Sequence, residues 1–204
     1  MKKTILIFIV IGALASCKGT DADIPPIDFS VTPVQTVENM VARRFQWANL
    51  TYDMRAGRMD RYDYTDTSDI QHTYEIYSGG FEMLGYSADG LLETQINADG
   101  ARHNTVTGQE QWLAYGNVHI QNLIKGEHSF TDTLYWDRDR QMIYTDCFIQ
   151  MYSPEGLMQG YGMESNEKAD NAIIRHPFDS YGIDRDSTYF YFDSVNFVGP
   201  LQRF

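Results

Sequence analysis

The chain has 204 residues, of which 43% are apolar and 14% aromatic, which is enough for one globular domain and excludes disorder throughout. Tyr (14), Phe (11) and Gly (16) are abundant and turn residues recur between short apolar runs, which favours an all-β fold. The formal net charge is −12 and no basic cluster is larger than Arg43-Arg44, so we predict no nucleic-acid partner.

The first residues have the pattern of an export signal. Two lysines precede an apolar run over 5–15, which is shorter than the roughly 20 residues that a membrane-spanning helix needs. The run ends in Leu14-Ala15-Ser16-Cys17, which is typical of a bacterial lipoprotein signal, because a cysteine thiol can accept a lipid. We predict a signal peptide over 1–16 and a lipid anchor on Cys17. The alternative is an ordinary secretory signal that leaves Cys17 free.

A polar segment over 17–33 follows, with prolines at 25, 26 and 33. This composition predicts an extended, lipidated tether that holds a β-domain over 34–204 away from a membrane. If Cys17 carries lipid, Cys147 has no cysteine partner. We therefore expect Cys147 to be a small buried residue on the apolar face of its strand.

The first part of the domain contains weaker strand signals. The segment 34–42 fits a helix as well as a strand, whereas alternation over 45–61 predicts a first long strand. The aspartates over 62–69 lack the tight glycine loop of a calcium site, so we interpret this segment as a solvated turn. A strand over 74–84, broken by Ser78-Gly79-Gly80, and a strand over 92–98 are separated by a turn at 88–90.

The stretch 112–164 has the clearest pattern, because apolar and polar residues alternate in four blocks that turn residues separate. Turns are expected at 137–140 and 153–156. The last block has Gly160 and Gly162 on the same face as Met158, which leaves backbone open to close approach. The blocks resemble one another, so we predict degenerate repeats that stack into one β-architecture.

The inward faces of these strands would form an apolar trough. Its candidate lining residues are Phe81, Met83, Ile96, Val118, Ile120, Leu134, Ile149, Met151 and Met158. Such a wall would favour the burial of lipid tails at roughly 25 cal/mol per Å² of apolar surface. The alternative is a sealed β-sandwich core that binds no ligand.

Catalytic patterns are absent from the sequence. There is no G-x-S-x-G, H-E-x-x-H or C-x-x-C motif, and the five histidines fall at no metal-ligand spacing. A glycosidase with paired carboxylates stays open in principle, but nothing selects two of the 28 acids. We predict a protein that is not an enzyme and holds no metal and no cofactor.

The sequence resembles the LptC family, the membrane-anchored periplasmic component of lipopolysaccharide export, which is related to OstA-like bridge proteins. The resemblance covers roughly 36–165 and rests on a G-x-V-x-I strand, a T-D-x-L-Y-W-D strand, an I-Y-T-D strand and a closing G-x-G-M. It implies a boat-shaped, jelly-roll-like stack of two facing antiparallel sheets built from OstA-like repeats. A hydrophobic groove would lie between the sheets.

The resemblance also implies a function. In this family the groove takes the acyl chains of lipid A from the inner-membrane lipopolysaccharide ABC transporter and passes lipopolysaccharide to a periplasmic OstA-like bridge protein. Well-known members have a transmembrane helix, whereas this chain has a lipoprotein signal, so we expect a periplasmic protein held on the inner membrane through Cys17. The alternative function is an envelope lipoprotein β-domain with an adhesive or structural role.

The C-terminal segment 188–198 is apolar on both faces of a predicted strand. An exposed strand of this kind would pair with another chain through its free backbone groups. We therefore predict either a docking edge for the bridge protein or an internal strand that closes the jelly roll.

Overall fold

The computed structural model describes residues 27–106, 109–166, 172–183 and 189–192, and every regular element within them is a β-strand. The twelve strands are β1 Gln35–Gln46, β2 Asn49–Thr65, β3 Gln71–Tyr86, β4 Leu92–Ala98, β5 Gly100–Val106, β6 Gln109–Asn122, β7 Glu127–Asp137, β8 Met142–Ser153, β9 Gly156–Asn166, β10 Ile173–Pro177, β11 Ser180–Ile183 and β12 Tyr189–Phe192. Every strand pair is antiparallel. The predicted all-β, antiparallel fold is confirmed.

The strands form one sheet, which starts at β1 and follows the chain closely. Its order is β1-β2-β3-β4-β6-β7-β8-β9-β11-β12, with β5 between β3 and β6 and β10 beside β9. Strands β4 and β5 lie end to end, because each pairs with a different half of β3 and of β6. Most neighbours in the sheet are therefore neighbours in sequence.

A line of β-bulges crosses the middle of the long strands. The register shifts at Gly57 in β2, at Gly116-Asn117 in β6, at Asp146-Cys147 in β8 and at Gly162 in β9. Gly116, Asn117 and Gly162 have positive φ angles, which bend a strand and increase its twist. The bulges therefore divide each long strand into two segments that turn toward each other.

We name the two resulting parts half-sheet A and half-sheet B. The long-strand segments of half-sheet A are 40–46, 49–56, 81–86, 92–98, 118–122, 127–131, 148–153 and 156–161. Those of half-sheet B are 35–38, 58–65, 71–78, 100–106, 109–115, 133–137, 142–145 and 163–166.

The inner faces of the two half-sheets share one hydrophobic core. Val118 and Ile149 enter this core from half-sheet A, and Leu134 and Met163 enter it from half-sheet B. The resemblance implied two facing sheets, and the structure realises them as one continuous sheet that folds along its bulges. Bulges can do this because each one bends its strand without a separate connecting loop.

The sequence predicted the positions of the later strands accurately and those of the first strands less accurately. The four predicted blocks over 112–164 correspond to β6, β7, β8 and β9. The prediction of one strand over 45–61 is wrong, because a two-residue turn at Trp47-Ala48 ends β1 and begins β2. That turn lacks the Asn-Gly or Asp-Gly pair that normally signals a tight hairpin.

The position of Cys147 differs from the prediction of a buried residue on the apolar face of its strand. It lies at the bulge of β8, where the alternation of faces is interrupted, and it is half-buried. Its Sγ atom lies 3.2 Å from Thr133 Oγ1. The bulge therefore moves this thiol away from the apolar face.

The predicted signal peptide 1–16, Cys17, the predicted tether as far as residue 26 and the segment 193–204 lie outside the described residues. Strand β12, at residues 189–192, occupies the end of the sheet opposite β1. In the part of the chain that the structure describes, no helix is long and apolar enough to cross a membrane.

Candidate lipid-binding groove

Half-sheet A carries one apolar row across eight strands, which we name the methionine row. Directly opposed residues on neighbouring strands form it, because alternation puts every second side chain on the inner face. Its members are Ala42, Met54, Met83, Ile96, Ile120, Ser129, Met151 and Met158. Methionine is flexible and polarizable, so this row can adapt to irregular apolar ligands.

A second row lies two residues closer to the bulges, and we name it the floor row. It contains Ala56, Phe81, Ala98, Val118, Thr131 and Ile149. These side chains are buried, with Ile149 0% and Val118 1% exposed. The floor row therefore closes the inner space at the line where the sheet folds.

A third row lies on the other side of the methionine row, next to the turns, and we name it the mouth row. It contains Arg44, Tyr52, Gly85, Thr94, Asn122 and Glu127. Met83, Ile96, Met151 and Met158 are half-buried, packed on the core but still reached by solvent. A partly accessible apolar wall thus lies between a sealed floor and a largely polar mouth, which is the arrangement of an amphiphile-binding groove.

The structure brings eight of the nine candidate residues together on the inner face of half-sheet A. Five belong to the methionine row: Met83, Ile96, Ile120, Met151 and Met158. Three belong to the floor row: Phe81, Val118 and Ile149. Leu134 lies in half-sheet B, buried in the shared core. Sequence reasoning missed Met54, although the alternation of Tyr52, Met54 and Ala56 carries the signal.

Half-sheet B presents a different inner face, a row of mostly charged and aromatic side chains that we name the network row. It contains Arg61, Glu75, His103, Trp112, Trp136 and Ile143 in register across six strands. Tyr77, one row closer to the bulges, donates a hydrogen bond of 2.7 Å to Glu75 Oε2. His103 Nδ1 lies 3.2 Å from the same oxygen. Sequence reasoning missed this network.

Glu110 extends the network toward the turn between β7 and β8. Arg138 Nη1 donates to Glu110 Oε2 over 2.7 Å, and His103 Nε2 lies 3.2 Å from Glu110 Oε1. This second histidine contact is close enough for an ion pair but lacks the angle of a good hydrogen bond. The charged groups of Glu75, Glu110 and Arg138 thus all have partners within the inner face of half-sheet B.

Stacked rings stiffen this wall. The His103 ring lies 4.2 Å from Trp112, and Trp112 lies 5.6 Å from Tyr77 and 6.4 Å from Trp136, measured between ring centroids. The Arg138 guanidinium sits 5.5 Å from the centre of the Trp136 ring. Side chains held by rings on one side and ion pairs on the other have little freedom to adapt, in contrast to the methionine row.

The sequence matches the profile of the family described as lipopolysaccharide-assembly, LptC-related, over residues 4–175. The match covers most of the chain. The chain belongs to the LptC-related family. This envelope-associated family takes part in lipopolysaccharide transport, so lipopolysaccharide and its transport system are the setting in which the protein acts. The chain matches none of the curated proteins with which it was compared.

The ionised groups increase the difference in polarity between the inner faces of half-sheets A and B in this LptC-related protein. The hydrogen bond from His103 holds the pKa of Glu75 below its ordinary value against the effect of burial. Burial raises the pKa of Glu110, but the hydrogen bond and charge of Arg138 outweigh it, so this pKa is also lowered. Burial and the bond to Glu75 raise the pKa of Tyr77. At neutral pH the inner face of half-sheet B therefore carries two carboxylates, Glu75 and Glu110, which an acyl chain would avoid.

The other features of the LptC-related chain fit structural roles. A cavity of about 460 Å³ lies at the bulge line across β1, β2, β3 and β4. Ala56, Phe81 and Ala98 of the floor row line it, and no member of the methionine row does. Arg55 lines it and is paired with Asp53 and Glu82. A Cβ atom on Gly57 would lie 2.8 Å from the Gly79 carbonyl oxygen, so close strand packing explains this glycine.

Two of the histidines form a pair on the outer face of half-sheet A. His119 Nε2 lies 3.2 Å from His128 Nδ1, and the His119 ring stacks 4.3 Å from Phe130. Burial lowers the pKa of His119, and the neighbouring His128 adds to this effect. Among the described residues, no three His, Cys, Asp or Glu side chains are grouped to hold a metal ion.

Proposed function

We propose that the protein binds the acyl chains of lipid A against the methionine row. It would receive lipopolysaccharide from the inner-membrane ABC transporter and pass it to a periplasmic OstA-like bridge protein. The single observation that carries this proposal is the half-buried row of Met83, Ile96, Met151 and Met158 between a sealed floor and a polar mouth. Membership of a lipopolysaccharide-assembly family supports the choice of ligand.

The energetics favour half-sheet A as the tail-binding wall. Apolar surface covered by a tail contributes roughly 25 cal/mol per Å², and methionines can rearrange around branched tails. On half-sheet B a tail would have to desolvate Glu75 and Glu110, which is unfavourable. A tail would therefore lie along one wall and leave the other in contact with the polar part of the amphiphile.

The proposal includes a lipid anchor on Cys17, after removal of the signal peptide 1–16. The tether 17–33 would then connect the β-domain 34–204 to the periplasmic face of the inner membrane. The apolar run before Cys17 and the small residues next to it support this arrangement. The end of the sheet at β12 would be the docking edge for the bridge protein, which its place at the end of the strand order supports.

Photo-crosslinking tests the tail-binding wall. Crosslinkers replace Met83 and Met151, and matched controls replace Glu82 and Tyr152, the adjacent residues on the opposite face of the same strands. We expect lipopolysaccharide to be labelled from Met83 and Met151 only. Equal labelling from all four positions would contradict the assignment of the inner face. No labelling from any position, in a folded protein, would favour the envelope β-domain with a structural role.

A further inference from the structure

Four turns of half-sheet A lie side by side and form a rim at the mouth of the groove. Asn49 Nδ2, beside the first turn, donates to the Ala88 carbonyl oxygen in the second turn over 3.3 Å. The Leu123 amide, in the third turn, donates over 2.8 Å to Glu93 next to the second. A Cβ atom on Gly126 would lie 3.7 Å from Pro154 Cγ in the fourth turn. We name this edge the A rim.

The A rim exposes large apolar side chains where turns normally carry polar ones. Exposed fractions are 91% for Trp47, 63% for Ile124 and 61% for both Phe45 and Leu91, and Leu123 adds 43%. Clustered apolar residues on such a protruding edge indicate a contact surface rather than random exposure.

The opposite rim, at the end of half-sheet B, provides a comparison within the same molecule. Its two described turns have the sequences DTSDI at 66–70 and RDRQ at 138–141. Ile70 is the one large apolar residue in these two turns, and it is 37% exposed. The segment 27–34 also enters at this end, where the Val34 amide donates to the Arg61 carbonyl oxygen, and it exposes Ile27 and Val31. The contrast between the two rims therefore holds for their turns.

The turn that displays Trp47 has an unfavourable backbone. Trp47 and Ala48 have φ angles of 52° and 69°, the left-handed region that a two-residue hairpin requires. Glycine and asparagine adopt this region readily, whereas an indole-bearing residue does so at a cost. A strained turn that presents a 91% exposed tryptophan is a reason to look for a function of that side chain.

We propose that the A rim docks on the surface of a lipid bilayer, with Trp47, Leu91 and Ile124 in the interfacial region. Tryptophan is the side chain that membrane interfaces favour most clearly, and branched apolar residues beside it add burial. Three charged residues, Asp89, Lys125 and Glu155, occur in the four turns and carry both signs, so the rim does not repel a zwitterionic surface.

The proposal rests on the proposed function, because it places the mouth of the groove at the surface of the membrane that holds the transporter. Ile27 follows Cys17 by ten positions (27 − 17 = 10). A fully extended segment of this length spans at most about 35 Å. The chain enters β1 at its half-sheet B end, so a lipid on Cys17 would keep the domain near the membrane but would not itself bring the A rim to it. Contact of the A rim with the bilayer would then set the orientation of the domain.

Quenching of Trp47 fluorescence by brominated phospholipids tests the docking. The full chain is reconstituted in phosphatidylcholine vesicles with brominated acyl chains and no lipopolysaccharide. The emission of Trp47 is the difference between the parent protein and Trp47→Phe, because Trp112 and Trp136 lie inside the fold. We expect this difference signal to be quenched by the brominated lipid and shielded from aqueous iodide.

Two matched variants control the experiment. Ile124→Glu, on the A rim, should restore Trp47 emission, whereas Ile70→Glu, on the opposite rim, should leave it quenched. Trp47 emission that iodide quenches and brominated lipid does not would overturn the proposal and point to a protein partner. Equal quenching in both variants would also overturn it, because the anchor alone would then bring Trp47 to the lipid. Crosslinking of lipopolysaccharide to Met83 does not require contact between the A rim and a bilayer. A failure of the docking proposal can therefore be distinguished from a failure of the proposed function.

Discussion

Half-sheets A and B are built from the same long strands and the same ladders, yet their inner faces differ in chemistry. On β3, Met83 lies on one side of the bulge and Glu75 on the other, eight residues apart along a single strand. Half-sheet A presents soft apolar side chains, and half-sheet B presents ionised groups fixed between stacked rings. The bulge line thus lets one strand supply two unlike walls, which a straight strand with one inner face cannot do.

The floor row is buried where the inner faces of half-sheets A and B meet, so a charge placed there should have the largest effect on stability. Ile149→Asp would place a carboxylate where the native side chain is 0% exposed. With no partner charge, we expect a loss of more than about 4 kcal/mol in the free energy of unfolding, and the domain should unfold. Urea denaturation followed by circular dichroism measures it. The control Gln150→Asp, on the outer face of the same strand, loses one hydrogen bond to Gln159 and should cost much less than Ile149→Asp. A stable Ile149→Asp protein would show that the fold line is not sealed.

The network row should respond to pH where the methionine row does not. Glu75→Gln removes an ionised acceptor of two contacts, and we expect a loss of roughly 1 to 3 kcal/mol at pH 7. The folded-state pKa of Glu75 is lowered, so its contribution is present above the ordinary value of 4.5 and is lost as the pH falls through the folded-state value.

The difference in stability between Glu75→Gln and the parent should therefore shrink in acid. Urea denaturation at pH 7 and below pH 4.5 tests this expectation. Glu93→Gln, an exposed position on β4, is the matched control and should show little difference at either pH. A difference that stays constant with pH would mean that the charge of Glu75 does not stabilise the wall, and the contrast between the half-sheets would then be one of shape alone.

The smallest expected effect on stability concerns a turn of the A rim. Replacing Trp47-Ala48 by Asn-Gly supplies residues that favour the observed backbone, and we expect stability to rise by up to about 1 kcal/mol. Thermal unfolding measures the gain. A loss of stability would show instead that Trp47 packs within the domain and that the A rim is part of the fold.

The sequence predicted strands and faces better than it predicted the fold line. Alternation located β6 to β9 and selected eight residues that the structure places together on half-sheet A. It marked a break at Gly79-Gly80 but did not identify it as a bulge opposite Gly57, because a glycine in a strand does not reveal which residues lie opposite it. The Trp47-Ala48 turn was missed because its residues are atypical of tight hairpins.

The network row could not be predicted from the sequence, for a different reason. Glu75, His103 and Glu110 come from three strands, and their meeting depends on the register of β3, β5 and β6. Alternation gives the face of each residue but not its distance along the neighbouring strand. In a strand pattern, a histidine or glutamate on an inner face is therefore easily read as a surface residue.

The order of strands in the sheet has a consequence for how the protein is made. Most strands pair with the one that precedes them in the chain, and where β5, β6 or β11 skips a neighbour it skips one element. Contacts between residues that are close in sequence favour rapid folding. A chain that emerges from its N-terminus could add each strand to the growing sheet in turn. Each newly added strand would cover the open edge of the last, so a long unpaired edge would not stay exposed while the C-terminal residues have still to emerge.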